Sequence, residues 1–371
     1  MTDLLHSNYI IDGVQMALSP ERMLRECSVD PPLEPDGDPE TIADEQLDQK
    51  PDNFVFQDSK IQQYAHALTP PLKRAFPLPF SGPFTAAKVA IALLDAVWMA
   101  GHFRLRDLSL KADWKWNDKA IGHSAAFYLS VERACSYLDA LGLKLDRYSL
   151  CNGQPAVSFK ACTLAGDDLL DEEATLFRDP PYRTIHPRIS RRRKAPSVLV
   201  PEQSDWLIYI PFDTCDFRLG GSALAETLGA HPSTAPEVSD AEYFADCYEV
   251  VRELVEDGVV KAGATVGDGG LMTCLKQLTS AGTGATVSIR NICKAYGDES
   301  PVRVLFGEVP GVVLQIADID YDYIDAEFIL QDVVYYPIGH PDTSHKGVQL
   351  TEAVEIPQIL ESLLNTMEGE D

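Results

Sequence analysis

The stretch Gly263-Ala264-Thr265-Val266-Gly267-Asp268-Gly269-Gly270-Leu271-Met272-Thr273-Cys274-Leu275 decides how this chain is read. Val259 and Val260 lead into it as a strand, Gly267 to Gly270 make a turn, and Leu271, Cys274 and Leu275 then recur at helical spacing. A strand, a glycine turn and a helix N-terminus in succession present bare backbone N–H groups, an arrangement suited to a phosphate. Ala264 and Thr265, just ahead of the turn, supply no side chain that binds a metal or moves a proton. A lone glycine turn also serves as a plain strand-to-helix connection, so its meaning depends on its neighbours.

Those neighbours stand in a fixed order. Upstream are Leu108-Ser109-Leu110-Lys111-Ala112-Asp113-Trp114-Lys115-Trp116 with Gly122, then Arg218-Leu219-Gly220-Gly221-Ser222-Ala223-Leu224; downstream is Leu305-Phe306-Gly307-Glu308-Val309-Pro310-Gly311-Val312-Val313-Leu314. In order and spacing these segments resemble the C-terminal half of the synthase body of formylglycinamidine ribonucleotide (phosphoribosylformylglycinamidine) synthase, over residues 75–345. The resemblance implies the two-domain α/β (α+β) fold shared with aminoimidazole ribonucleotide synthetase, with mixed sheets carrying helices on one face. It also implies a purine-biosynthesis ligase family that uses ATP and magnesium to turn a formamide into an amidine, with ammonia from glutamine.

Composition sets the outer limits. A chain of 371 residues with 45% hydrophobic content is long enough for two cores and tails. The residues show no apolar run near the roughly 20 that a membrane helix needs, and the N-terminus has no basic-then-apolar signal pattern. The eight cysteines include no Cys-x-x-Cys pair and read as buried thiols, so a cytoplasmic or other intracellular setting is expected. A net charge of −26 argues against general nucleic-acid binding, because most of the surface would repel a phosphate backbone.

The composition changes along the chain. Residues 1–60, rich in Asp, Glu and Pro, are expected to form a mostly irregular arm whose Phe54-Val55-Phe56 docks on the body or a partner. Residues 75–177 and 201–345 are expected to be two α/β domains, separated by a basic linker at 178–200 and followed by a tail at 346–371. Helices are expected over Pro83 to Gly101, Phe127 to Leu141, Ala241 to Val255 and Leu271 to Ala281. In the tail, Ile356, Ile359, Leu360, Leu363 and Leu364 predict an amphipathic helix.

The family's ligand positions can be compared one by one. Its glutamate and asparagine, one helical turn apart, chelate magnesium; aligned back from Asp113-Trp114-Lys115-Trp116, those positions hold Ala92 and Ala96. Its His-Asp pair becomes Ala264 and Thr265, and the serine of its turn becomes Gly267. Its Gly-Gly-Lys-Asp-Ser loop is reduced to Asp146-Arg147-Tyr148-Ser149-Leu150. Retained are a phosphate or nucleotide loop of Gly267, Asp268, Gly269 and Gly270 with Gly220 and Gly221, and Lys111, His123 and Arg147 as residual ligand contacts. With the metal positions gone, the charge compensation that phosphoryl transfer needs is gone too. No catalytic residue, metal or cofactor is therefore expected, and the resemblance does not extend to a glutaminase.

Two charged segments remain. Asp318-Ile319-Asp320-Tyr321-Asp322-Tyr323-Ile324-Asp325 opens like a calcium loop, but Tyr323 and Ile329 occupy the positions that need glycine and glutamate, so a solvated acidic helix or turn is expected. Arg188, Arg191, Arg192, Arg193 and Lys194 form a basic run in an acidic protein. It reads either as a solvated loop, replaceable with little change in stability, or as a docking site for a protein partner or a second copy, which would make a homo-oligomer. The family includes viral interaction proteins, so a degenerate synthase serving in interaction or regulation is the first reading. An ATP- and magnesium-dependent ligase subunit completed by another chain is the second, and a nucleotide sensor is the third.

Overall fold

The computed structural model describes residues 3–31, 39–47, 57–70, 72, 74–101, 104–163, 192–297 and 299–351. The expectations placed on Phe54-Val55-Phe56, on Arg188 and Arg191, and on the helix at 356–367 lie outside these residues.

Among its described residues the acidic arm carries regular elements. Strand β1 (Asn8–Ile11) pairs antiparallel with β2 (Val14–Gln15), helix α1 (Pro20–Cys27) follows, and β3 (Thr41–Asp44) lies parallel to β1. Tyr9 and Ile11 alternate into the core, and Tyr9 packs its ring 5.1 Å from that of Tyr128. The Ser19 side chain caps α1, Pro20 opens it, and Met23, Leu24 and Cys27 bury one side of it. Runs this short carry little periodic signal, which is why composition alone pointed to an irregular arm. Helix α2 (Asp58–Ala67) completes this part.

Helix α3 (Ser81–Val97) and α4 (His123–Ala140) pack together beside a three-stranded sheet of β4 (Leu108–Trp116), β5 (Leu145–Asn152) and β6 (Ala156–Thr163). The central strand β4 runs parallel to β5 and antiparallel to β6. Its period-2 residues Leu108, Leu110, Ala112, Trp114 and Trp116 are all buried. The indole N–H groups of Trp114 and Trp116 donate to Ser130 Oγ at 3.0 Å and the His123 carbonyl at 2.7 Å. By length and composition Leu78–Val97 is apolar enough to cross a membrane, but 67% of its most apolar 18-residue window is buried inside the protein, as in a core helix.

The second half contains β7 (Trp206–Pro211), α5 (Ala223–Leu228), α6 (Ala241–Asp257), β8 (Val260–Val266), α7 (Gly270–Leu278), β9 (Gly284–Val287), α8 (Arg290–Ala295), α9 (Pro301–Phe306), β10 (Gly311–Ile316), α10 (Tyr321–Leu330), β11 (Tyr336–Asp342) and β12 (Val348–Leu350). Six of these strands form a mixed sheet in the order β12-β9-β11-β7-β10-β8, antiparallel except where β12 joins β9. Every residue of β7 and β10 is buried, which requires cover on both faces of the sheet. Ile208 and Ile210 share a core with α3 and α6, whereas Leu207 and Tyr209 face α7 and α9. Both faces of this sheet are therefore covered. Strand β8 is its edge, and the edge strand delivers the glycine turn.

Candidate functional site

The turn after β8 is built as the sequence suggests. Gly269 and Gly270 have φ of +78° and +70°, and a Cβ on Gly270 would sit 2.6 Å from the Leu305 carbonyl oxygen, so glycine is required there. The anion that meets the turn belongs to the protein. The Gly269 N–H at the start of α7 and the Ala223 N–H at the start of α5 both donate to Glu308 Oε1 at 2.8 Å. Glu308 reaches them from a left-handed backbone, φ +56°.

Arg74 ties this point to both glycine turns. Its Nη1 donates to Glu308 Oε2 at 2.6 Å and lies 3.7 Å from Asp268 Oδ1, while its Nη2 donates to the Gly221 carbonyl. Lys88 Nζ pairs with Asp268 Oδ2 at 2.5 Å, and Arg74 and Lys88 both sit over the Phe84 ring. Burial pushes the Glu308 carboxyl up from its ordinary range against the pull of Arg74. Burial acts to lower the Arg74 pKa, but Glu308 and Asp268 outweigh it and raise the net value.

Helix α3 runs along β8 through residues spaced three and four apart. Lys88 meets Asp268, Ile91 lies under Gly267, Asp95 accepts from Thr265 Oγ1 at 2.9 Å, and Trp98 donates from Nε1 to Thr265 Oγ1 at 2.8 Å. A Cβ on Gly263 would lie 2.4 Å from Trp98 Cζ3, so the indole covers the strand edge. Asp95 keeps an open side to solvent, yet crowding around it raises its carboxyl, with Thr265 and Arg193 acting the other way.

The structure brings Gly220 and Gly221 together with Gly267 to Gly270 through Arg74 and Glu308. It puts Ala92, Ala96 and Ala264 in apolar packing, and Thr265 in the Asp95–Trp98 chain of hydrogen bonds. Lys111 and Arg147 belong to the other sheet, and His123 to the helix beside it. Lys111 and Arg147 are register partners across β4 and β5, and Lys111 lies 3.8 Å from Asp146, while His123 opens α4 with Nδ1 at 3.1 Å from Asn117. Sequence reasoning missed Lys88, Asp95 and Trp98, for which a pairing of α3 with β8 was the absent information, and Arg74, whose partners lie far along the chain; Glu308 stood inside a quoted segment with no role given to it.

Of the basic run, Arg192, Arg193 and Lys194 are among the described residues. Arg193 is a structural residue: it donates from Nη2 to the Gly263 carbonyl at 2.9 Å and from Nε to the Ala195 carbonyl at 3.1 Å. The backbone on either side is held too, with the Ala100 N–H donating to the Arg192 carbonyl and the Lys194 N–H to the Trp98 carbonyl.

Residues 204–339 match the family described as AIR synthase related protein, C-terminal domain. The chain is similar to the human phosphoribosylformylglycinamidine synthase, 29% identical over 64% of this chain and 17% of the relative. It is 24% identical to the Drosophila melanogaster enzyme of the same name, over 68% of this chain and 18% of that one. It thus spans less than a fifth of the length of these curated relatives. Among solved structures, Thermotoga maritima PurL complexed with FGAR superposes with a TM-score of 0.54 at 15% identity, covering 77% of this chain and 44% of that one.

Proposed function

We propose that this phosphoribosylformylglycinamidine synthase-like chain, which has an AIR synthase-type fold, works by binding a partner and does not form amidine by itself. The observation that carries the reading is the closed charge network at the glycine turn. Glu308, Asp268, Arg74 and Lys88 pair with one another where a nucleotide phosphate and its magnesium would need to compete. A ligand there must first break a buried, hydrogen-bonded carboxylate–guanidinium pair, a cost of about 3–5 kcal/mol. Buried alanine at positions 92, 96 and 264 gives a metal no oxygen in exchange.

The test supplies purified chain with ATP, Mg²⁺, ammonia and formylglycinamide ribonucleotide, so that the relatives' glutamine step is bypassed. The expected result is no amidine above background and no saturable ATP binding. Turnover that Asp268→Asn abolishes would favour a ligase, and ATP binding without turnover would favour a nucleotide sensor; either outcome overturns the proposal.

A further inference from the structure

Helix α10 is apolar on two opposite sides. Ile324 and Phe328 are fully buried against the body. On the outward side Tyr323 and Leu330 are 47% and 75% exposed, with exposed Ala326 between them on the same stripe at spacings of three and four. Ile319 in the preceding turn, Ile329, and Val334 in the following turn extend the patch at 89%, 69% and 48% exposure. Single exposed apolar residues are ordinary, but a contiguous stripe along a helix whose other face is already buried marks an interaction surface.

The rim of the stripe is acidic. Asp322 and Glu327 flank it on α10, and the carboxylates of Glu327, Asp257 and Glu253 act electrostatically on Tyr323. Arg252, the one Lys or Arg on α6, is buried and shared between Glu249 and Glu253. A second copy docked face to face would bring two such rims together, in a chain whose net charge is −26. The occupant must therefore bring positive charge beside an apolar stripe.

We propose that the outward face of α10, with the turns at either end, binds a basic amphipathic helix of another protein. Apolar residues three and four apart on that helix would lie on Tyr323, Ala326 and Leu330, and flanking Lys or Arg would meet Asp322 and Glu327. This inference rests on the interaction reading given above. Its assay contains no nucleotide, so turnover can overturn that reading while leaving the binding result intact.

The experiment titrates the full chain into a labelled Leu/Lys amphipathic peptide of about 18 residues, with a Leu/Glu counterpart as control, and reads fluorescence anisotropy. The Lys peptide should bind saturably and weaken with salt, and the Glu peptide should not bind. Leu330→Asp should reduce affinity at least about 10-fold, whereas capture by charge alone would tighten because the substitution adds an acid. Asp322→Lys with Glu327→Lys should also weaken binding and flatten its salt dependence. Unchanged melting of both variants confirms that folding is not the cause. Absent binding, or binding indifferent to Leu330→Asp, overturns the proposal. So does a concentration-dependent dimer that Leu330→Asp dissolves, which makes a second copy the occupant. Tighter peptide binding after deletion of residues 352–371 makes the chain's own tail the occupant and overturns it as well.

Discussion

The Arg193 guanidinium lies 5.3 Å from the centre of the Trp98 ring, and both side chains close over the same strand edge at Gly263. Edge strands expose unpaired backbone groups, and this pair covers one of them. Arg193→Ser removes a cation–π contact and two hydrogen bonds, so it should cost about 1–3 kcal/mol in urea denaturation. Lys194→Ser, which loses a partly exposed pair with Glu256 at 3.0 Å, should stay within about 1 kcal/mol. Equal effects from the two substitutions would return the whole run to the solvated-loop reading.

Glu308→Ala strips the acceptor from the Gly269 and Ala223 amides and leaves the buried Arg74 with no carboxylate nearer than Asp268 at 3.7 Å, beside its bond to the Gly221 carbonyl. Breaking one partner of a buried pair is far worse than lacking the pair, so about 3–5 kcal/mol should be lost. Glu308→Gln keeps one acceptor oxygen and should lose less. If Glu308→Ala costs under about 1 kcal/mol, the network does not hold the two turns together and poses little barrier to a nucleotide phosphate there.

Much of this was legible in the residues. Alternation in Leu108-Ser109-Leu110-Lys111-Ala112-Asp113-Trp114-Lys115-Trp116 marks β4, and the unbroken apolar runs of β7 and β10 mark strands buried on both sides. The glycine turn announced itself, since only glycine takes the backbone angles found at Gly269 and Gly270 without strain. Arg74 was not legible, because its partners Gly221 and Glu308 are distant in sequence and no local period connects them. Charge runs misled in both directions. The acidic arm buries Tyr9 and Leu24 despite its composition, and the basic run pins Arg193 into the body.

Asp95 makes stability depend on pH. Its carboxyl is raised above the ordinary 3.8, chiefly by desolvation from the protein packed around it although one side stays open to solvent, so the native state is expected to hold the proton more tightly than the unfolded chain. The stabilisation from that proton is complete below 3.8 and is lost as pH rises through the higher native value. Asp95→Asn removes the titration. Its stability relative to wild type should therefore improve between pH 4 and pH 7, in urea melts taken across that range. A relative stability that falls over the same interval would mean that the charged form, opposite Arg193, is the favoured one.

The arm is fastened to the body by a helix cap. Asp44, the last residue of β3, accepts from the Gly122 N–H at 2.9 Å, the Ser124 N–H at 2.8 Å and the Ala125 N–H at 3.1 Å, all at the N-terminus of α4. That end has no cap from its own residues, since Gly122 stands at the N-cap with φ +82°. A carboxylate there satisfies orphan donors and complements the positive end of the helix dipole. Asp44→Ala should cost about 1–2 kcal/mol, and Asp44→Asn, which keeps a neutral acceptor, should cost less. Hydrogen exchange provides the sharper readout: amides of β1 and β3 should lose protection together with the first turn of α4, because one side chain joins them. Faster exchange in α4 with the arm still protected would show that the buried Tyr9 contact, and not the cap, holds the arm in place.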